Sequence, residues 1–203
     1  RYRTELYKLR RKFMSHADGL IHADLHTSNI LASRDEMKVI DMEFAFMGPF
    51  GYDLGYLVGN LISQYCAACF KRFPSEQNRK QFKAYLLATI QSLIETYMKT
   101  FTLCWERSVK ERYRGQQGLL QSILQEVMVD MPGYASMVNW FRSVSDIPYP
   151  DFDVIENKDA KRNATVLSLM IDWGIMFGRY KYQSADDLIE TIIGIEEEFR
   201  KSL

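Results

Sequence analysis

Between Leu20 and Phe44 the chain reads LIHADLHTSNILASRDEMKVIDMEF, and no other stretch restricts its fold as strongly. Asp24 stands between His22 and His26, Asn29 follows five residues later, and Asp41 and Glu43 come two residues apart beyond a polar turn. Acids crowded in this way cost free energy unless a cation or a proton partner compensates them. The short apolar runs 30–32 and 37–40, separated by Ser33-Arg34-Asp35-Glu36, predict a β-hairpin with the polar groups at its two ends. Such a hairpin draws Asp24 and Asp41 together.

Outside this stretch the pattern is helical. Leu6, Leu9 and Phe13 recur among charges in YRTELYKLRRKFMSHAD, which predicts an amphipathic helix leading into the motif. GPFGYD then predicts a turn with Asp53 as N-cap, followed by a buried helix, LGYLVGNLISQYCAACF. Gly51, Gly55 and Gly59 recur every four residues, and close approach of another helix explains Gly55 and Gly59 better than a ligand does. Pro74-Ser75-Glu76 opens a long helix, Gly115 to Gly118 interrupts it before LLQSILQEVMVDM, and Pro132-Gly133 and IPYPDFD predict two further breaks. Two helices close the chain, over 159–182 and 185–201, the second capped by Ser184. Trp105, Trp140 and Trp173 fall at helical spacings expected of core residues.

Composition removes several classes of function. At 203 residues with 47% hydrophobic content, the chain can bury a core as one domain or one large lobe. Lys plus Arg equals Asp plus Glu at 26 each, so nothing calls for a nucleic acid or an anionic membrane as partner. No apolar run reaches the roughly 18 to 20 residues that span a bilayer, and the N-terminus lacks a signal-peptide core, so a soluble, cytoplasmic protein is expected. Cys66, Cys69 and Cys104 are too few for a disulfide framework. The Cys66-Ala-Ala-Cys69 spacing lies in an apolar run with no second ligand pair, which predicts packed helix thiols.

Phosphoryl transfer needs one carboxylate to orient a hydroxyl, with an amide oxygen and a second carboxylate to hold magnesium against nucleotide phosphates. Asp24, Asn29 and Asp41 fill those places, in a spacing that resembles the protein-kinase signatures. A zinc site of His22, Asp24 and His26 is the rival, but apart from His16 no further histidine or cysteine stands near. His22 is expected instead to pack and brace the loop.

HADLHTSNI followed by IDMEFAFMGPFGYDLG resembles the kinase-like small-molecule phosphotransferases, among them the aminoglycoside and choline kinases, and is most similar to the 5-methylthioribose kinases. The resemblance implies a mainly α lobe with a small β-hairpin, the C-terminal lobe of the protein-kinase-like fold, over residues 1–203. It implies ATP and Mg2+ as cofactors, and phosphorylation of the 1-hydroxyl of S-methyl-5-thioribose in methionine salvage. Asp24 would be the catalytic base and touch the sugar, Asp41 and Glu43 would bind magnesium with Asn29, and Asp53 would steady the catalytic loop. Another small-molecule kinase, or a non-catalytic pseudokinase-like lobe, are the alternatives, and a homodimer is open to any of them.

Three positions depart from that family. Ala23 replaces a glycine, a small change provided that the backbone there is not at positive φ. Asn29 replaces a serine. Where the family has twin arginines that hold substrate and phosphate, this chain has Arg179 followed by Tyr180, so Arg179 is either a weakened substrate-binding residue or an exposed helix arginine. A kinase of this fold also needs a lobe with a strand-borne lysine and a glycine-rich loop, and the 11 glycines never form G-x-G-x-x-G. The chain is therefore expected to be the catalytic lobe alone, as a fragment, a split product or an inactive remnant.

Overall fold

Three glycines decide how the helices meet. The computed structural model describes residues 1–147 and 149–203; Pro148, part of the IPYPDFD break, lies outside the described residues. Helix α2 (Gly51–Ala68) crosses helix α4 (Gln117–Val144) with its glycine face inward. A Cβ at Gly55 would sit 2.6 Å from the Met131 carbonyl oxygen, and one at Gly59 2.5 Å from that of Ala135. The two backbones therefore touch, and a side chain at either glycine would force them apart.

Around this pair pack α1 (Tyr2–Ser15), α3 (Glu76–Ser108), the single turn α5 (Pro150–Asp153), α6 (Lys158–Gly178) and α7 (Ala185–Lys201). Val58, Ile62, Ile90, Ile94, Met131 and Ile171 form the centre of the core. Cys66 and Cys69 are buried there as free thiols, as their apolar setting predicts. Ser75 caps α3 by accepting the Asn78 N–H, and Ser184 and Asp187 form a reciprocal capping box on α7. No helix among the described residues is long and apolar enough to cross a membrane.

Several expectations are corrected. Helix α4 runs through Pro132-Gly133 without breaking. Proline removes one intrahelical hydrogen bond, but this turn is clamped by α2, and Gly133 admits Leu9 and Arg179 so closely that a Cβ would lie 2.7 Å from the leucine Cδ1. Tertiary packing outweighs the local preference. Gly115 breaks the chain at φ +79°, whereas Gly118 already lies inside α4. Helix α6 stops at Gly178, short of Tyr182, and the N-cap of α2 is Phe50 rather than Asp53. Trp140 and Trp173 are not core residues, with 42% and 56% of their surface exposed.

The expected hairpin is present, with β2 (Ile30–Ala32) and β3 (Met37–Val39) paired antiparallel in the register Ile30 to Val39. A second ladder, which the sequence does not announce, pairs β1 (Gly19–Ile21) with β4 (Phe46–Gly48). Strands of three residues are too short to develop a readable alternation. Together the ladders hold both ends of the segments 22–29 and 40–45, where the acids lie.

Candidate active site

The loop that carries Asp24 is held from below by the first turn of α2. Asp53 accepts the His22 N–H at Oδ2 (2.6 Å) and the Ala23 N–H at Oδ1 (2.9 Å). Burial pushes the Asp53 carboxyl above its usual range, and these two backbone bonds oppose that shift. Ala23 adopts φ +67°, so the substitution for glycine is not a small one. A left-handed residue with a Cβ costs roughly 1–2 kcal/mol. The Asp53 carboxylate fixes that conformation directly.

His22 is buried and braces the loop. Its Nε2 donates to the Ile40 carbonyl (2.8 Å), and its Nδ1 accepts the Asp24 N–H (3.3 Å). Both ring nitrogens are thus engaged, which removes His22 from any zinc site. The Ile40 N–H in turn donates to the Asn29 carbonyl at 3.0 Å. One ring and one peptide tie the Asp24 loop to the far end of the hairpin, and the next residue along is Asp41.

Asn29 is buried, and its Nδ2 donates to the Asp24 carbonyl (3.1 Å), which leaves Oδ1 as the atom it can offer a cation. Asp41 takes φ +66°, a conformation that aspartate tolerates better than most side chains. Asp41 and Glu43 are exposed and make no side-chain hydrogen bond or ion pair among the described residues. No group of three or more His, Cys, Asp or Glu side chains suited to a metal occurs among the described residues. The Asp41 and Glu43 carboxylates and the Asn29 amide oxygen are hard oxygen donors, of the kind that magnesium takes together with water and phosphate oxygens.

Three contributors have roles that the motif does not show, and two of them, Asn60 and Tyr56, lie outside it. Asn60, fully buried on α2, accepts the Thr27 N–H (3.0 Å) and the Thr27 hydroxyl (2.8 Å), anchoring the loop after Asp24. A polar residue inside LVGNLIS was the available signal. Second, His26 brings Nε2 to 3.5 Å from Asp24 Oδ2, and its ring lies 6.4 Å from that of Tyr56. Third, burial and then the neighbouring Asp24 carboxylate push the Tyr56 phenol above its ordinary pKa.

Tyr56 also lines a cavity of about 600 Å³ bounded by α1, α2, α4 and the segment before α5. Phe13, Tyr52, Tyr134, Phe141 and Tyr149 supply much of its wall. Of the three tryptophans assigned to the core by spacing, Trp140 lines this space instead. Arg3, Arg10 and Arg142 line it too, and Arg142 is paired with Asp151 (2.6 Å).

Arg179 is placed elsewhere and is not an exposed helix arginine, with only 2% of its surface accessible. Its guanidinium donates to Glu5 (2.9 Å), the Val129 carbonyl (3.1 Å) and the Tyr180 hydroxyl (2.7 Å), linking α1 to α4. Burial raises the Glu5 pKa, but bonds from Lys8, Tyr180 and Arg179 outweigh it and hold the carboxyl at about 2. Arg179 lines a second cavity with Lys8, Lys12 and Tyr180, not the one at Tyr56. The structure therefore gathers Asp24, Asn29 and Asp41 at one edge, with Glu43 on the adjoining turn, and sets Arg179 apart.

Residues 2–94 match the family described as "Phosphotransferase enzyme family". Among similar proteins, a methylthioribose kinase of Geobacillus thermodenitrificans is 32% identical over 196 residues, covering 97% of this chain and 47% of that protein. One from Geobacillus kaustophilus is 33% identical over 92% of this chain and 45% of its own length. One from Exiguobacterium sibiricum is 35% identical over 66% of this chain and 32% of its own length. The chain spans about half the length, or less, of the curated relatives it matches.

Proposed function

We propose that this chain, which has the mainly helical C-terminal-lobe fold of the phosphotransferase enzyme family, is the catalytic half of a kinase that phosphorylates the 1-hydroxyl of S-methyl-5-thioribose with ATP. The observation that carries the reading is the cross-braced loop, in which Asp53 and His22 fix Asp24 one hydrogen-bonded step from the segment that ends in Asp41. Asp24 orients the sugar hydroxyl and accepts its proton as that oxygen bonds to the γ-phosphorus of ATP and the bond from that phosphorus to the bridging oxygen breaks, releasing ADP. Asp41, Glu43 and the Asn29 amide oxygen would hold Mg2+, which when bound neutralises charge on the nucleotide phosphates. Exposed apolar side chains beside Asp41, among them Val39, Met42 and Phe44, suit a face that a nucleotide-gripping lobe would cover.

A thiopentose is favoured over a polyamine or choline acceptor because Arg3 and Arg10, which have no acidic partner among the described residues, line the cavity beside Tyr56 and would repel a cation. This replaces Arg179, whose charge is already paired, as the source of that selectivity. The test is a comparison of the complete protein on methylthioribose, choline, ethanolamine and an aminoglycoside, with the phosphorylated position read by phosphorus NMR. Methylthioribose should have the highest kcat/KM and carry the phosphate on its 1-oxygen. The 203-residue chain on its own should show no turnover, since a kinase of this fold also needs a lobe over the phosphates. Preference for choline or an aminoglycoside would reject the substrate while leaving the kinase chemistry in place.

A further inference from the structure

The cavity lined by Tyr56 is larger and more aromatic than a methyl thioether requires. At about 600 Å³ it falls within the range of pockets that enclose drug-sized ligands. Its rings come from three helices and one loop, and they already pack edge to face on one another. Tyr52 meets Tyr134 at 5.0 Å and 70°, and Phe141 meets Tyr149 at 5.9 Å and 68°. Phe13 lies 4.6 Å from Tyr52. These two clusters present ring faces and edges to the same space. A planar aromatic guest can add to such an array in offset or edge-to-face geometry, whereas a methyl group meets only one ring at a time.

The cavity also has a fixed relation to the reacting end of an acceptor. Tyr56 belongs to its wall and stands beside His26, whose Nε2 is 3.5 Å from Asp24 Oδ2. A ligand whose hydroxyl meets Asp24 therefore directs its other end past Tyr56 toward Tyr52 and Phe141.

We infer that this cavity receives the non-reacting end of the acceptor, and that it takes hydroxyl compounds bearing a planar aromatic group in preference to those bearing a methyl thioether. The inference rests on the reading of Asp24 as the residue that engages the acceptor hydroxyl. It goes beyond methylthioribose in naming a class of acceptor that the wall chemistry selects.

Calorimetric titration of the 203-residue chain with 5-S-phenyl-5-thioribose, methylthioribose and 2-phenylethanol separates the possibilities. Two added ring contacts amount to roughly tenfold in affinity, so the phenyl riboside should bind about ten times more tightly than methylthioribose. Phe141, 45% exposed, can be shortened without opening the core, and Phe141→Ala should bring the ratio of phenyl riboside to methylthioribose affinity close to one; an unchanged ratio would overturn the inference. Trp140 lines the same cavity, so its fluorescence in the unmutated chain should respond to the phenyl riboside independently of any variant. Binding of 2-phenylethanol with both ribosides silent would keep the aromatic class and remove the thiopentose reading. Equal or weaker binding of the phenyl riboside would overturn the inference and leave the thiopentose reading intact. Binding of neither phenyl compound would overturn it as well.

Discussion

Replacing Ala23 with glycine should stabilise the chain, although alanine-to-glycine changes ordinarily do the reverse. Ala23 sits at φ +67°, where its Cβ crowds the backbone at a cost of roughly 1–2 kcal/mol. Glycine removes that strain but gives the unfolded chain more freedom, which takes back about 0.4–1 kcal/mol. The difference leaves Ala23→Gly more stable by about 0.5–1 kcal/mol, or a Tm increase of about 2–4 °C per kcal/mol for a chain of this size. Ala84, exposed in the middle of α3, supplies the contrast, since Ala84→Gly should destabilise by about 0.5–1 kcal/mol. Urea unfolding of both variants and the parent, with m-values checked for constancy, measures the two differences. If Ala23→Gly destabilised as Ala84→Gly does, Ala23 would not be left-handed in solution, and the account of how Asp53 shapes the loop would fail.

Two buried carboxyls should give opposite pH dependences. Asp172 is 1% exposed, with Oδ2 unpartnered among the described residues, and burial raises its pKa well above the ordinary value despite a bond from Asn139. Its contribution is therefore complete below the unfolded pKa near 4 and is lost as pH rises toward the folded one. The stability of Asp172→Asn relative to the parent should grow steadily in urea titrations from pH 5 to 8; a constant difference would contradict the raised pKa. Burial also opposes ionisation of Glu196, but bonds from Lys83, Tyr65 and Arg200 prevail and lower its pKa from 4.5 to about 2. That lowering is worth about 3 kcal/mol, present above the unfolded pKa and lost as pH falls from about 5 through 2. Glu196→Gln should cost that order of stability at pH 7 and little at pH 2, and an equal cost at both would contradict the ion-pair account.

The hairpin, the long helices and the close approach of a second helix to α2 were legible because each rests on a local signal: a polar turn, a cap, or glycines at a fixed interval. Pro132-Gly133 misled because the contacts that keep α4 helical come from α2, far away in sequence. Trp140 and Trp173 misled because helical spacing says which face a residue occupies, not whether another element covers that face. The motif singled out Asp24, Asn29, Asp41 and Glu43 as candidate site residues. It could not reveal that Ala23 is left-handed, that Asn60 anchors Thr27, or that Arg179 is engaged by Glu5. Those facts depend on partners 33 or more residues away, apart from the backbone angle itself, which Asp53 sets from α2.

The central claim is that Asp24 engages the acceptor hydroxyl, and phosphate transfer from labelled ATP to methylthioribose by the complete protein carrying Asp24→Asn tests it most directly. The amide preserves the shape and the backbone bonds to His22 and Asn29 but cannot take the proton. At saturating substrates kcat should fall by on the order of 100-fold or more, the scale of a lost acid–base group, with KM for the sugar changing far less. A variant that retained near-parental kcat would contradict the role assigned to Asp24.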